Sequence, residues 1–145
     1  WSEILEYSQV KYSGDADNVL TELEMKPGLK WFPNISLNFA ENLLKHKNDE
    51  LAIISKNENS DLVKITYNEL YLSVAKLAYS LKKLGLKQGD RVAAVLPNSH
   101  EAVIAMLATT SIGAIWSSCS PDFGIASVTD RFKQIEPKFI FSIHS

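Results

Sequence analysis

Cysteine is almost absent. A single residue, Cys119, in a chain of 145 excludes an internal disulfide framework and suits a reducing compartment, so a cytoplasmic location is expected. Glycine is sparse as well. The six glycines, at positions 14, 28, 85, 89, 113 and 124, form neither a G-x-G-x-x-G nor a Walker loop, so no familiar phosphate cradle is written here. The three histidines, His46, His100 and His144, are far apart and share the chain with one cysteine. That spacing gives no metal site and reads as surface or capping groups. Ser99-His100 lacks a G-x-S-x-G elbow and reads as the first turn of a helix. Charge of one sign is also missing: 15 basic and 17 acidic residues leave a net charge of -2. Without a basic face, no nucleic-acid partner is expected. Residues 102–121 carry no charge, but Thr109, Thr110, Ser111, Gly113, Ser117 and Ser118 interrupt the run. Buried helices and strands reproduce such a pattern, so no membrane partner is expected. The chain opens on Trp1 with no signal-peptide pattern, and the expectation is that it starts inside something longer.

What is present describes one globular domain. Apolar residues make up 46% and charged residues 22%, far from the composition of disordered chains. Residues 1–30 read as a peripheral arm: an amphipathic piece from Ile4 to Val10, a loop over residues 13–18 and a turn at residues 26–28. Trp31-Phe32-Pro33 reads as a wedge that packs this arm onto the sheet. Ser36 is the expected N-cap of a helix running to Leu44, with Leu37, Ala40, Asn42, Leu43 and Leu44 on its richer side and Lys45-His46-Lys47 complementing its dipole. Residues 51–54 and 62–65 then form a hairpin with a polar loop. Thr66 and Glu69 match a capping box. From there Leu70, Val74, Leu77, Ala78, Leu81 and Leu84 hold helical spacing, Lys82 and Lys83 face the dipole, and Gly85 ends the helix in a left-handed turn.

Residues 91–96 read as a buried strand ended by Pro97. Asn98, with Glu101 three residues on, is the expected cap of an apolar helix from Ala102 to Ile112. A second strand begins at Ala114-Ile115-Trp116, a helix covers residues 125–135, and a last strand covers residues 138–143. Strand, helix, strand, helix, strand implies parallel pairing, with Val92, Ile115 and Phe139 side by side. The expected fold is α/β: an open, mostly parallel sheet flanked by helices. In such sheets ligands sit beyond the carboxyl ends of the strands. Ser118 to Asp122 falls there. Its residues alone allow two readings, a ligand rim or a strand-to-helix turn capped by Ser120 or Asp122, and the turn is the simpler. Cys119 reads as a small buried residue rather than a nucleophile. Arg131 could reach a phosphate, but on a helix it reads rather as paired with Asp130, Glu136 or the domain edge.

Several stretches together resemble the acetoacetyl-CoA synthetases, within the AMP-forming adenylating enzymes: Trp31-Phe32-Pro33, residues 37–44, Gly89-Asp90-Arg91-Val92, the run from Gly113 to Gly124, and residues 130–138. The Gly-Asp-Arg-Val piece is common to the whole superfamily. The Trp-Ser-Ser-Cys-Ser-Pro-Asp-Phe-Gly run is far more selective, because acetyl-CoA synthetases usually place Gly-Gly where Pro121 and Asp122 stand. The resemblance implies a ligase that joins acetoacetate and CoA at the expense of ATP, through an acyl-adenylate, with Mg²⁺ on the phosphates. It implies that residues 31–145 are part of the large N-terminal adenylation domain and residues 1–30 a cap or arm. It also implies that Ser120, Pro121, Asp122 and Phe123 line the CoA side of the pocket. The family's phosphate loop, nucleotide contacts and C-terminal catalytic lysine match nothing here, so the chain alone is expected to be inactive and, with apolar surface uncovered, to self-associate. Two alternatives stand beside this reading: another short-chain acyl-CoA synthetase for acetate or propionate, and a non-catalytic α/β binding module.

Overall fold

The computed structural model describes residues 1–21, 27–58 and 61–143; Lys26 of the expected turn and His144 lie outside them. The centre is a parallel sheet of β5 (Arg91–Val95), β6 (Ile115–Cys119) and β7 (Phe139–Ser142), in the order β6-β5-β7. Middle strand β5 is buried on both faces, with Val92, Ala93 and Ala94 fully covered, which is why its sequence is apolar without alternation. Val92 stands opposite Trp116 on one side and Phe139 on the other. The direction of the strands is as expected, and the register differs by one place: Ile115 faces Arg91, not Val92.

Three helices serve this sheet. The first, α3 (Tyr67–Lys83), starts at the predicted capping box: Thr66 Oγ1 accepts from Glu69 N at 3.2 Å, and Glu69 Oε2 accepts from Thr66 N at 2.8 Å. It buries Leu70, Val74 and Leu81. Leu84, expected on the same stripe, is 67% exposed, because the helix has already ended and Gly85 turns the chain at φ +89°. Next, α4 (His100–Ser111) buries Ala105, Leu107, Ala108 and Thr109 and packs against α3 and β6. Its N-cap is Ser99 rather than Asn98, since Ser99 is the last residue held in extended backbone. The third, α5 (Ile125–Ile135), runs between β6 and β7 and buries no residue fully. Before them, β3 (Leu51–Ser55) and β4 (Val63–Thr66) form the expected antiparallel hairpin.

The N-terminal third differs most from expectation. Ser13–Gly14 (β1) and Ile35–Ser36 (β2) pair as a short antiparallel bridge, so Ser36 is held in a strand and cannot cap. The helix α2 (Phe39–Leu43) is capped instead by Asn38, whose Oδ1 accepts from Glu41 N at 3.0 Å. Its buried side is only Ala40 and Leu44, while Leu37 and Leu43 are exposed. The cations after it do not serve its dipole. Lys45 Nζ donates to the Ser8 carbonyl at 3.2 Å, Lys47 Nζ lies 3.9 Å above the Tyr71 ring, and His46 tilts against Tyr67. The arm carries α1 (Ser2–Tyr7). Trp31 meets Trp1 edge-on, with ring centroids 4.8 Å apart, and pairs through its backbone with Leu20; these contacts hold the arm at Trp31 itself rather than on the sheet. The attachment to the lobe is polar: Asn42 Oδ1 accepts from Lys11 N at 2.7 Å, and Asn42 Nδ2 donates to the Lys11 carbonyl at 3.0 Å.

Candidate functional site

Parallel pairing of β5 with β6 brings their carboxyl ends together, and Leu96 N donates to the Cys119 carbonyl at 3.3 Å. Beyond this junction is a cleft of about 290 Å³ lined by Leu96, Pro97, Asn98, Ala102, Ser118, Cys119 and Ser120. Of the four residues singled out in the sequence, Ser120 enters that lining. Pro121, Asp122 and Phe123 follow as the lip of the turn outside it. Pro97 removes a backbone donor where β5 stops, and small Ala102 and Ser118 leave space that larger side chains would fill. Cys119 is buried in the cleft wall, in keeping with a small packed residue.

The lip is closed on itself. The Ser120 hydroxyl donates to Asp122 Oδ2 at 2.8 Å and accepts from Asp122 N at 3.3 Å, and Phe123 N donates to the Ser120 carbonyl at 3.2 Å. Serine and aspartate here bond locally, as such residues do in turns. Neither caps α5, contrary to expectation. The N-cap is Gly124, with no side-chain cap and no acidic residue in the first turn. The reason is geometric: both side chains already have partners within the turn, and Asp122 lies three residues before Ile125, where the helix begins.

Arg131 corrects a second expectation. Among the described residues it has no ion pair with Asp130 or Glu136. Its guanidinium carbon instead lies 5.0 Å from the centroid of the Phe123 ring, within the range of a cation–π contact. Asp130 accepts from Gln134 Nε2 at 3.4 Å, and Glu136 is the left-handed C-cap of α5.

On the other side of the β5 end lies a larger, mainly apolar hollow of about 480 Å³, with Leu77, Leu96, Ile104, Phe141 and Ile143 among its walls. Sequence reading did not find it, because three elements far apart in the chain build it. Glu101 stands at its edge. A hydrogen bond from the Ser99 side chain, aided by neighbouring His100, holds the Glu101 carboxyl below the usual range, and His100 Nε2 is 3.2 Å from Glu101 Oε1. His100 is thus a first-turn residue, as read from the sequence. Among the described residues no group of three His, Cys, Asp or Glu side chains could hold a metal ion, and no helix is long and apolar enough to cross a membrane.

A parallel sheet with its cleft past the strand ends defines an open α/β fold of the kind that seats ligands at that edge, and comparison with known proteins narrows the class. A profile of the AMP-binding enzyme family matches residues 39–145, and the chain belongs to that family. Within the family its homologues are acetoacetyl-CoA synthetases. It is 48% identical to the one from Mus musculus and 49% identical to the one from Gallus gallus, in each case over 100% of this chain and 22% of the relative. With the acetoacetyl-coenzyme A synthetase of Rhizobium meliloti (strain 1021) it shares 42% identity over 95% of this chain and 21% of the relative. The solved structure of acetoacetyl-CoA synthetase from Streptomyces lividans superposes with a TM-score of 0.90 at 42% identity, covering 98% of this chain and 22% of that one. The chain therefore spans about a fifth of the length of the relatives it matches.

Proposed function

We propose that the chain works as part of an acid–CoA ligase that converts acetoacetate, ATP and CoA to acetoacetyl-CoA, AMP and pyrophosphate. The carboxylate of acetoacetate displaces pyrophosphate at the α-phosphorus of ATP, and the CoA thiol then displaces AMP from the acyl carbon. The contribution of these residues is structural and local: residues 31–145 form part of the adenylation domain, residues 1–30 an arm, and Ser120, Pro121, Asp122 and Phe123 the CoA-side lip. One observation carries the assignment of the lip, namely the pairing of β5 with β6 that sets Ser120 beside Leu96, Pro97 and Asn98 at one cleft. The identity to acetoacetyl-CoA synthetases supports the choice of acyl group.

In this reading the Ser120–Asp122 ring and Pro121 make a stiff lip against which an extended thiol arm can lie, and the alanine and serine walls allow close approach. Mg²⁺ would neutralise the phosphates of ATP in the first step; among the described residues no group of three His, Cys, Asp or Glu side chains could hold it without them. A reducing, cytoplasmic setting agrees with the free, buried Cys119. The apolar surface left on β6, β7 and α5, where Ile115, Ile125 and Ile140 are exposed, favours self-association of the isolated chain, which light scattering reads directly.

The test uses the full-length protein that carries this segment. Pyrophosphate release should require acetoacetate in preference to acetate or propionate, and Asp122→Lys should raise KM for CoA. A preference for acetate or propionate would replace acetoacetate by another short-chain acid. An unchanged KM for CoA in Asp122→Lys would remove the lip from the pocket.

A further inference from the structure

Phe123 is held in two unequal ways. Its backbone is fixed by the closed turn, through the bond from Phe123 N to the Ser120 carbonyl. Its ring is 44% exposed, and the contact described for it is the Arg131 guanidinium at 5.0 Å. Side chains on a helix lean toward its N-terminus, so Arg131, in the second turn of α5, reaches back over the junction where Phe123 enters Gly124. Among the described residues no carboxylate competes for Arg131 by an ion pair, and planar guanidinium is suited to stacking on a ring in a way a lysine ammonium is not.

We propose that Arg131 is a positioning residue: by its cation–π contact with Phe123 it fixes that ring as an apolar wall of the lip, and the wall receives the pantetheine arm of CoA. The inference rests on the reading of residues 120–123 as the CoA side and adds a group that acts through another. An aromatic ring left without its partner would sample several rotamers, and the wall would be present only part of the time. Arg131 need not touch the nucleotide end of CoA for this. Its effect should therefore be felt by any ligand that uses the wall, charged or not.

The experiment compares Arg131→Leu, Arg131→Lys, Phe123→Leu and the Arg131→Leu/Phe123→Leu double variant in the full-length protein. It reads KM for CoA, inhibition by pantetheine, which has no phosphate and no nucleotide, and acetoacetate-dependent ATP–pyrophosphate exchange. Arg131→Leu is expected to weaken CoA and pantetheine alike by about two- to fivefold, the scale of one exposed cation–π contact. Arg131→Lys should recover only part of this, and exchange should not change. In the Phe123→Leu background, removing Arg131 should add nothing. A loss confined to CoA with pantetheine unaffected would assign Arg131 to phosphate contact and overturn the proposal. So would an Arg131→Leu penalty that persists without the ring, or no penalty at all beside a clear effect of Phe123→Leu. If Phe123→Leu itself leaves both ligands unchanged, the reading of the lip falls first and this inference falls with it.

Discussion

Replacing Thr109 by valine should make the protein more stable. Thr109 lies on the buried side of α4 with no exposed surface, and its Oγ1 has no hydrogen-bond partner. Its neighbour Thr110 is different: that hydroxyl donates to the Met106 carbonyl at 2.9 Å. Leaving a hydroxyl buried and unpaired costs about 1–3 kcal/mol, whereas exchanging it for a methyl of similar size removes that cost and adds apolar contact. Threonine and valine share a β-branched skeleton and nearly equal helix propensity, so no opposing term of similar size enters. The net gain should be about 1–2 kcal/mol, or a rise in Tm of roughly 2–8 °C for a domain this large. Urea unfolding followed by far-UV circular dichroism should show a higher midpoint at unchanged slope. Thr110→Val, which deletes a made hydrogen bond, should be neutral or destabilising. A Thr109→Val protein that unfolds at the same or a lower urea concentration would refute the claim that this hydroxyl is unpaired.

Two further outcomes follow from the polar ties of the fold. Asp90 is held below its ordinary pKa of 3.8, chiefly by the hydrogen bond from Lys138 and then by that from the Lys87 backbone; a depressed folded value means stability that is complete above pH 3.8 and lost as pH falls through the folded pKa. Asp90→Asn should therefore flatten the acid limb of the stability curve, and a limb identical to the parent's would rule Asp90 out as its source. Asn42→Leu removes both bonds to Lys11, so hydrogen exchange at the Lys11 amide should speed up about tenfold while global unfolding stays put; equal exchange would mean that the arm is held elsewhere.

The parts of this fold that sequence reading captured are those in which several local signals agree. For α3, the Thr66–Glu69 box, the spacing of Leu70, Val74 and Leu81 and the positive φ of Gly85 all point to the same helix. Strand direction was legible because each strand is separated from the next by a helix. Register was not, because a one-place shift between Ile115 and Arg91 leaves no mark in composition. Two-residue strands have no period to detect: Ser13 and Ser36 pair only because the chain between them returns. The same pairing moved the cap of α2 from Ser36 to Asn38. In the site, Ser120 was legible from its place after β6. The opposing wall of Leu96, Pro97 and Asn98 depends on the β5–β6 register, and the Arg131–Phe123 contact spans a helix start that charge pairing does not anticipate.

The two ends of the sheet are built for different ends. At the amino end the connections are stitched shut: Lys138 Nζ donates to the Gly85 carbonyl at 2.6 Å and to Asp90 Oδ2 at 2.8 Å, Lys87 N donates to the same carboxylate oxygen at 2.7 Å, and Gly89 N reaches the Gly113 carbonyl at 3.0 Å. Gly113 has φ +79°, and a Cβ there would stand 3.0 Å from Gln88 Cγ, so the stitching tolerates little added bulk. At the carboxyl end Leu96 N reaches the Cys119 carbonyl, and beyond that bond lies the cleft lined by Pro97, Asn98 and Ser120. Rigidity at one end is what lets the other remain open without losing its geometry, because β5, β6 and β7 are fixed relative to one another before the cleft begins. The closed Ser120–Asp122 turn then continues that rigidity to the lip. In the proposed reading of the lip as the CoA side, Pro121 and Asp122 set its position in advance, and the cost of ordering it on ligand binding would be correspondingly small.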